Sequence, residues 1–493
     1  MEYNIFLRRI LKSDDLVATL LRSNVNRTKT VVIDYSSPNL AKRFHIGNLR
    51  STLLGRFIDS INRKAGNKIV SINYLGDWGR QFALIAAIWP DVKPKSLDKL
   101  TDLEKVKFYT KCYVEATNRA EIDGEFNRKV QKIYEEMELA MASNDLNAKI
   151  LSLWKDIRRV SLRHLKNFYK ELGVEFDEFN SESENVRPAH ELINNLVRIG
   201  FAKVISDKTT VVEEEQSANN IILRKSNNGT LYLSRDLASL MQRQKKYSAD
   251  EYVYVVDQSQ FLHFDALKKI LAKIGETDLS KKVYHLMFGR VHGLSTRKGI
   301  TESVEEILNH GCEIAANFIS LSKTMKIDHS KVDVAKNLSL STIIVNDLKR
   351  GRKKDYVFSF SDAFKMNINN GLLLQMKHSR LFSLEMRNFE LLSQCNENMS
   401  FDIDLTNNET VLLIKWLEQF ENVLVESYKG LEPRHLIDYL VRLAHLTGNS
   451  LAVLRVLNQP REIAVPRLLL FSAARRVLNR GMKLIGLEPI NQM

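Results

Sequence analysis

The chain has 493 residues and carries 73 Lys and Arg against 59 Asp and Glu, which gives a formal net charge of +14. At ~150 residues per domain, this length predicts about two to four domains. The positive balance favours a polyanionic partner such as nucleic acid, although many basic enzymes share it. No apolar run approaches the ~20 residues that a transmembrane helix needs, so the sequence predicts a soluble chain. Three scattered cysteines, Cys112, Cys312 and Cys395, form no CxxC pair and indicate neither a disulfide framework nor a zinc site.

The N-terminal stretch, MEYNIFLRRILKSDD, permits two interpretations. Arg8, Arg9 and Lys12 on a partly apolar segment are typical of a weak organelle-targeting helix, whereas three acidic residues are unlike the acid-poor norm for such signals. A short helix that docks on the body of the protein fits the same pattern.

Residues 31–55 predict a strand, a tight turn and a helix. The apolar run at 31–33 is typical of a buried parallel strand, and the sequence SSPN supplies turn residues. Apolar residues then recur at helical spacing, which places His45 and Asn48 at a helix start. Unpaired N–H groups and a partial positive charge there can receive phosphate, and Gly47 permits close approach. An ordinary strand-to-helix connection with a chance histidine is the alternative.

The remaining elements follow in chain order. Residues 68–75 alternate as a second strand, and GDWG then opens a long, charged, helical region that runs to about residue 200. Residues 251–257 predict another strand, followed by a helix from about 261 to 274 that Gly275 ends. From about residue 335 helical patterns dominate, as in 433–446, and the polar stretch 393–408 predicts a loop.

Five strings occur in one order along the chain: SPNLAKRFHIGNLRSTLLG, YLGDWGRQF, LYLSRDLA, YVVDQSQFLHF and LSTRKG. In this order and spacing the chain resembles the class I arginyl-tRNA synthetases, from about residue 30 to residue 493. The resemblance implies an α/β fold, with a Rossmann-type nucleotide-binding catalytic domain that carries a helical insertion, followed by an all-α anticodon-binding domain. The implied limits are 1–30 for a short N-terminal extension, 31–335 for the catalytic domain with its insertion at about 90–215, and 336–493 for the anticodon-binding domain.

The resemblance also implies the chemistry. L-arginine is activated with ATP to arginyl-adenylate and transferred to the 3′-terminal ribose of tRNA-Arg, with Mg²⁺ arriving as the ATP complex and no protein metal ligands identified. The expected ATP contacts are His45, Gly47 and Asn48. The positions matching the arginine contacts of the family are Ser37, Pro38, Asn39, Tyr232, Asp236 and Gln260, while Asp34 stands where an acidic residue is usual.

Asp236 is the candidate for arginine selection because a carboxylate can meet a planar guanidinium with two parallel hydrogen bonds, which a lysine ammonium cannot reproduce. Tyr232 and Asp236 are four residues apart and share one face if this stretch begins a helix. In the alternative interpretation, Asp236 is an ordinary carboxylate at a helix start, paired with Arg235 or offsetting the dipole.

The chain departs from the family in two signature motifs. Asn48 replaces the second histidine of the HIGH pattern, which predicts weaker activation because an amide donates a hydrogen bond but carries no positive charge. STRKG occupies the place of the KMSKS loop and keeps Ser295, Arg297 and Lys298 as expected catalytic residues, but the leading lysine is lost. Lys42 or Arg43 is a candidate for supplying the missing charge, and TRKG as an ordinary surface turn is the alternative.

Several further predictions complete this picture. Trp78 belongs either to the core or to a brace of the active site, and the basic run KRGRKK at 349–354 either follows a tRNA backbone or is a solvated turn. The chain most resembles the animal mitochondrial branch, which implies the mitochondrial matrix, with the cytoplasm as the alternative, and a monomer without membrane contact. Two other functions stay open: a degenerate paralogue that binds tRNA without charging it, and a class I synthetase for another amino acid.

Overall fold

The computed structural model describes residues 2–25, 27–40, 42–94, 96–213, 220–292, 303–321, 332–365, 369–393 and 403–493. Within these ranges the strands are β1 (Thr30–Asp34), β2 (Lys68–Leu75), β3 (Glu178–Ser181), β4 (Lys203–Val204), β5 (Thr210–Val212), β6 (Ile221–Arg224), β7 (Glu251–Tyr254), β8 (Val283–His285), β9 (Val291–His292) and β10 (Tyr356–Val357).

The helices of the first half are α1 (Glu2–Lys12), α2 (Leu16–Arg22), α3 (Ile46–Lys64), α4 (Arg80–Val92), α5 (Asp102–Ile122), α6 (Gly124–Ala142), α7 (Ser152–Glu171), α8 (Val186–Arg198), α9 (Tyr232–Tyr247), α10 (Phe261–Lys273) and α11 (Thr277–Lys282). Those of the second half are α12 (Val304–Leu321), α13 (Val332–Leu348), α14 (Phe360–Ala363), α15 (Gly371–Arg387), α16 (Phe389–Ser393), α17 (Asn408–Glu418), α18 (Phe420–Gly430), α19 (Pro433–Val453) and α20 (Arg461–Leu484). Short 3₁₀ turns occur at Leu97–Lys99, Lys149–Leu151, Ser183–Asn185 and Gln258–Gln260.

The chain divides into two compact units. The sheet unit consists of Lys29–Thr52 and Ile69–Met287, and the helical unit consists of Met1–Thr28, Leu53–Lys68 and Phe288–Met493. Each unit has its own core.

The central sheet of the sheet unit has the strand order β3-β2-β1-β7-β8 among the described residues. The pairs β2–β3, β1–β7 and β7–β8 are parallel, and Asp34 at the end of β1 lies in register with Tyr254 at the end of β7. A hydrophobic core covers one side of this sheet and includes Val32, Tyr252, Leu240 and Leu267. The predicted α/β nucleotide-binding fold is therefore confirmed.

The sequence correctly predicted β1 and β2, while α10 ends one residue before the predicted limit and β7 is shorter than expected. The predicted helical region after GDWG holds α4, α5, α6, α7 and α8, but it also contains β3, which the sequence did not indicate. β3 has four residues, and only its last is buried, so it offers no alternating pattern to detect. β4, β5 and β6 form a separate antiparallel sheet that was also missed.

The helical unit is built around α19 and α20, which pack on each other and on α15. The N-terminal helix α1 lies on α20 and buries Leu7 and Ile10, each 1% exposed. This arrangement fits the docking-helix interpretation of the N-terminus. Of the basic side chains near the C-terminus, Arg480 donates a hydrogen bond to the Asp14 carbonyl at 2.6 Å and Arg475 pairs with a carboxylate of α15 at 2.8 Å.

The C-terminal segment is held by two buried side chains of α15. Gln375 donates a hydrogen bond to the Glu488 carbonyl at 2.9 Å and accepts one from the Ile490 N–H at 2.8 Å. The His378 Nδ1 lies 3.0 Å from the Ile490 carbonyl oxygen, so it is the protonated ring nitrogen. In the described parts of the chain, no helix is both long and apolar enough to cross a bilayer.

Candidate active site

The strand order of the central sheet reverses between β1 and β7. β2 and β3 lie on one side of β1, while β7 and β8 lie on the other. In open parallel sheets, ligands bind outside the carboxyl ends of the strands at such a reversal, because the loops on the two sides diverge there and leave a crevice. The segments that follow Asp34 and Tyr254 are therefore the expected walls of the site.

The turn after β1 is held in an unusual backbone conformation. Ser36 and Ser37 have φ values of 72° and 42°, in the left-handed region that non-glycine residues rarely adopt. The Ser37 hydroxyl donates a hydrogen bond to Asp34 Oδ1 at 2.7 Å. The Ser36 N–H donates to Ser51 Oγ at 2.9 Å, and the Ser51 hydroxyl donates in turn to the Val255 carbonyl at 2.7 Å. These bonds tie the turn to the end of β7, so both sides of the crevice are joined through Ser51.

Pro38 and Asn39 continue the turn along the loop that follows β2. The Gly76 N–H donates to the Pro38 carbonyl at 3.0 Å, and the Leu40 N–H donates to the Gly76 carbonyl at 3.1 Å. A Cβ at position 76 would lie 3.2 Å from the Asn39 Cα, so glycine permits this close approach of two backbones. The backbone at Asn39 is therefore held by the backbone at Gly76.

His45 and Asn48 cap the start of α3 reciprocally. The His45 Nδ1 accepts hydrogen bonds from the N–H groups of Gly47 at 3.1 Å and Asn48 at 3.4 Å. The Asn48 Oδ1 accepts one from the His45 N–H at 3.2 Å. This is the geometry of a capping box, with histidine and asparagine in the places usually taken by Ser or Thr and Glu or Gln. In the free protein, therefore, the two signature residues satisfy N–H groups of the helix start that would otherwise be unpaired.

Gly47 leaves room for this arrangement. A Cβ at position 47 would lie 3.1 Å from the Cε1 and Nδ1 atoms of the His45 ring, closer than side chains normally approach. The glycine predicted to admit a nucleotide thus also admits the imidazole.

The His45 imidazole is neutral at physiological pH. Desolvation by the surrounding protein atoms lowers its pKa, and the positive charge of Lys42 lowers it further. Because Nδ1 accepts hydrogen bonds, the hydrogen-bond pattern assigns the ring proton to Nε2. His45 can therefore donate a hydrogen bond from Nε2 to a phosphate or ribose oxygen, but it does not offer a positive charge.

Asp34 forms a buried ion pair with Arg243. The Arg243 Nη1 lies 2.7 Å from Asp34 Oδ2, and the two side chains are 4% and 6% exposed. The guanidinium also lies over the rings of Tyr74 and Tyr254, at 5.1 and 5.7 Å. With Oδ1 bonded to Ser37 and Oδ2 paired with Arg243, both oxygens of Asp34 are engaged by the protein, so Asp34 supports the turn.

A second carboxylate, that of Asp236, affects the pKa of Asp34. Burial raises the pKa of Asp34 and Arg243 opposes the change, while the negative charge of Asp236 adds to the increase. Asp236 follows Asp34 by about two hundred residues in sequence, and the fold brings it near enough for its charge to act on Asp34.

Asp236 lies in the first turns of α9 and contacts His263 on α10. The His263 Nε2 is 2.7 Å from Asp236 Oδ2, and both side chains are partly exposed. Tyr232 begins α9 with half of its surface exposed, one turn before Asp236. This stretch does begin a helix, so Tyr232 and Asp236 share one face, as predicted from the sequence. The alternative pairing of Asp236 with Arg235 is not observed, because Arg235 pairs with the buried Glu182 at 3.2 Å.

Gln260 occupies the N-cap position of α10, three residues before His263, without a side-chain capping bond. Its side chain is exposed, and its N–H donates to the Asp257 carbonyl at 3.0 Å. Residues three apart on a helix share a face, so Gln260 and His263 lie on the same side of α10. This spacing was a signal for His263 that sequence reasoning did not use.

Three other residues of the site were missed because their partners are distant in the chain. Arg243 of α9 pairs with Asp34 at the end of β1, and Glu182 pairs with Arg235 of α9. Glu138 of α6 accepts a hydrogen bond from Thr230, just before α9. No local pattern distinguishes these residues from surface charges in sequence.

Ser295, Arg297 and Lys298, the residues of the second signature loop, lie outside the described residues. Of the two cations proposed to replace the lost lysine, Lys42 lies 5.6 Å over the ring of Tyr113 in α5. The basic run is partly packed, since the Arg350 guanidinium lies 4.2 Å over the ring of Tyr356 and Arg352 is 9% exposed.

Among the described residues, no group of three or more His, Cys, Asp and Glu side chains is arranged to hold a metal ion. Cys112 is a buried free thiol, and burial raises its pKa to about 11. Cys395 lies outside the described ranges.

This arrangement of sheet, crevice and capped helix places the chain among the class I aminoacyl-tRNA synthetases. The family described as "tRNA synthetases class I (R), catalytic domain" matches residues 9–360, and the "DALR anticodon binding domain" matches residues 374–493. The chain belongs to the arginyl-tRNA synthetases.

Individual relatives agree over nearly the whole chain. The chain is similar to the probable mitochondrial arginine–tRNA ligase of Bos taurus, with 32% identity over 470 residues, covering 94% of this chain and 78% of the relative. It is similar to the cytoplasmic arginine–tRNA ligase of Saccharomyces cerevisiae, with 31% identity over 480 residues, covering 94% and 77%. Its fold is similar to the crystal structure of arginyl-tRNA synthetase from Plasmodium falciparum, with a TM-score of 0.75 and 24% identity, covering 98% of this chain and 83% of that one.

Proposed function

We propose that this arginyl-tRNA synthetase activates L-arginine with ATP in the crevice between the β1 and β7 segments and transfers the arginyl group to the 3′-terminal ribose of tRNA-Arg. The observation that carries this proposal is the Asp236 carboxylate of α9, which is partly exposed and is held at one oxygen by His263. A second oxygen remains to meet a guanidinium.

The arginine side chain binds at Asp236. A guanidinium presents its donors in a rigid planar fork, and a charge-assisted bond to a carboxylate is about twice as strong as a neutral one. Tyr232 lies one turn away and supplies a ring and a hydroxyl, while Gln260 lies on the same side of α10 as His263. Ser37, Pro38 and Asn39 hold the main-chain end of the amino acid, where the turn after β1 presents backbone groups.

ATP binds at the start of α3. His45 donates from Nε2, and Gly47 and Asn48 present N–H groups that a phosphate can take over from the His45 ring. Mg²⁺ enters with the nucleotide. The arginine carboxylate attacks the α-phosphorus, the bond to pyrophosphate breaks, and arginyl-adenylate forms without a covalent enzyme intermediate. Such a reaction depends on alignment and on charge neutralisation, which we assign to Ser295, Arg297 and Lys298 together with His45 and Asn48.

The transfer step joins the arginyl group to tRNA and releases AMP. We assign residues 336–493 to anticodon binding, residues 31–335 with the insertion at about 90–215 to catalysis, and residues 1–30 to a short extension. The chain acts as a monomer in the mitochondrial matrix. Support for the compartment comes from the probable mitochondrial ligase of Bos taurus, to which the chain is similar.

The test is incorporation of labelled arginine into purified tRNA-Arg transcripts, one mitochondrial and one cytosolic, with labelled lysine as the competing amino acid. The expected result is charging with arginine alone, and a higher kcat/KM for the mitochondrial transcript. Asp236→Ala abolishes charging, while Asp265→Ala, which removes an exposed carboxylate on α10, leaves it unchanged. Tight tRNA binding by the wild-type chain without charging would overturn the proposal and identify a tRNA-binding paralogue.

Compartment and assembly are tested separately. Protease protection of the native chain in fractionated cells distinguishes the matrix from the cytoplasm, and sedimentation of the purified chain gives its oligomeric state.

A further inference from the structure

A buried carboxylate of α6 accepts hydrogen bonds from three other segments of the sheet unit. Glu138 is 1% exposed. Its Oε2 accepts from Trp78 Nε1 at 2.7 Å, and its Oε1 accepts from the N–H and the hydroxyl of Thr230 at 2.8 and 2.6 Å. His190 Nε2 lies 3.3 Å from the same Oε1. Glu138 is therefore a fully bonded anchor between the helices after GDWG and the segment that leads into α9.

The carboxylate is ionised despite its burial. Burial acts to raise the pKa of Glu138, but the hydrogen bonds from His190, Thr230 and Trp78 outweigh it and leave the pKa below its ordinary value. The donors around Glu138 fix the orientation of its carboxylate, because any rotation would leave one of them unpaired in a low-dielectric interior.

The anchored segment is the one that positions the arginine pocket. The Arg235 Nη1 donates to the carbonyl and the hydroxyl oxygen of Thr230, at 2.7 and 3.0 Å, and Arg235 Nη2 donates to Glu182 at 3.2 Å. The Arg235 guanidinium lies 5.0 Å over the Tyr232 ring. Glu138 thus fixes Thr230, Thr230 fixes Arg235, and Arg235 fixes the ring of Tyr232 one turn before Asp236.

Neighbouring atoms leave little room for this segment to move. A Cβ at Gly229 would lie 2.9 Å from the ring of Tyr134 in α6, so the chain passes directly against that helix. Trp78, predicted to be either a core residue or an active-site brace, is completely buried, and its indole N–H donates to the Glu138 carboxylate.

We propose that Glu138 is a positioning residue for arginine recognition: it holds the first turn of α9, through Thr230 and Arg235, in the place where Tyr232 and Asp236 receive the guanidinium. The proposal rests on the function proposed above. Under this proposal, the helices after GDWG contribute to the selection of arginine, although Glu138 itself does not contact arginine.

The sharpest test is a pair of variants at Thr230. Thr230→Val keeps the shape but removes the hydroxyl that bonds both Glu138 and Arg235, whereas Thr230→Ser keeps that hydroxyl. Glu138→Gln is the third variant. Both oxygens of Glu138 accept hydrogen bonds, so the amide N–H that replaces one of them would point at a donor instead of accepting from it. Asp347→Asn, which alters a buried carboxylate of the helical unit bonded to Tyr356 at 2.5 Å, controls for general destabilisation.

The measurements are KM for arginine and KM for ATP in tRNA charging, at a temperature well below the lowest Tm of the set. For Thr230→Val and Glu138→Gln we expect KM for arginine to rise by about tenfold, because small misplacements at a binding site carry large costs. KM for ATP is expected to stay within about twofold of the wild type, since its contacts lie on α3. Thr230→Ser and Asp347→Asn are expected to retain the wild-type KM for arginine.

Two results overturn the proposal: an unchanged KM for arginine in Thr230→Val, or an equal rise in Thr230→Ser. If Glu138→Gln fails to fold, the Thr230 pair still decides. A wild-type chain that charges tRNA while Thr230→Val keeps its KM refutes this inference alone, whereas a wild-type chain that charges no tRNA refutes it together with the proposed function.

Discussion

The helix start on one side of the crevice and the α9 pocket on the other differ in how their polar groups find partners. On the β1–α3 side, Ser37 bonds Asp34 three residues away, His45 bonds Asn48 three residues away, and the Thr52 hydroxyl bonds the Asn48 carbonyl four residues away. On the α9 side the separations are larger, with 27 residues between Asp236 and His263, 53 between Arg235 and Glu182, and 92 between Thr230 and Glu138.

The proposed ATP and arginine sites therefore depend on different kinds of contact. The helix start on the nucleotide side is arranged by local hydrogen bonds, whereas the turn before it is also tied to distant residues, Ser51 to Val255 and Asp34 to Arg243. The amino-acid side is assembled by contacts among α6, α8, α9 and α10, so it depends on tertiary packing. Substitutions far from the arginine pocket are therefore expected to affect arginine more than ATP.

The largest effect is expected at Asp236. Asp236→Asn keeps an oxygen that accepts from His263 but removes the charge that meets the guanidinium. Loss of one partner of a desolvated charge pair costs about 2–5 kcal/mol, so kcat/KM for arginine should fall by about 30- to 5,000-fold. Charging assays with varied arginine measure this. A decrease of less than about tenfold, or an equal decrease in Asp265→Asn, would contradict the role of Asp236.

The next effect tests the local side, at Asn48. Asn48→Ala removes half of the reciprocal cap and the amide donor, and a donor that acts in the transition state is worth up to about 3 kcal/mol. We expect kcat of adenylate formation to fall by about 10- to 100-fold, and Asn48→His to raise it above the wild type.

Pyrophosphate exchange in the presence of tRNA measures both Asn48 variants. The arginine KM should not change in either, because the cap lies on the other side of the crevice from Asp236. Near-complete loss in Asn48→Ala without any gain in Asn48→His would refute the idea that asparagine is a weaker substitute for histidine.

A smaller effect is expected at His263, which tests the contact between α9 and α10 that holds Asp236. His263→Ala leaves Asp236 Oδ2 without its donor, so the carboxylate can rotate away from the guanidinium. KM for arginine should rise by about tenfold with kcat nearly unchanged, since a hydrogen bond to a charged group is worth about 1.5–3 kcal/mol. His263→Gln, which retains a donor, should recover part of the loss, and an unaltered arginine KM in His263→Ala would exclude this role.

The smallest effect is a pH dependence at His45. Its pKa in the folded chain is lowered from the ordinary value of 6.5, so the unfolded chain binds more protons between the two pKa values. The free energy of unfolding therefore rises with pH in that window. The contribution of His45 is fully present above pH 6.5 and is lost as the pH falls through the lowered pKa.

His45→Asn tests this sign, because asparagine also caps helices but does not titrate. Midpoints of urea unfolding at about pH 5.5 and about pH 7.5 should be less pH-dependent in the variant than in the wild type. An equal or steeper dependence in His45→Asn would show that the imidazole is not the titrating cap.

Elements with a local sequence pattern were predictable, and elements placed by distant contacts were not. β2, α10 and the helix at 433–446 were predicted because each carries an alternating or helical pattern, and β1 was predicted because a short apolar run is followed by turn residues. β3 was not, since four residues at a sheet edge contain too few periods, and its place is decided by pairing with β2 from about one hundred residues earlier. The domain limits and the roles of the site residues stay predictions.

By itself, the sequence determined the family, the α/β fold and the helix start at His45, because motifs, periodicity and caps are set by residues within about one turn of each other. Only the tertiary structure decided that Arg243 neutralises Asp34, that His263 rather than Arg235 holds Asp236, and that Glu138 anchors Thr230. The physical reason is that a buried charge must be paired wherever the fold supplies a partner, and the separation of those partners along the chain is not encoded in any local pattern.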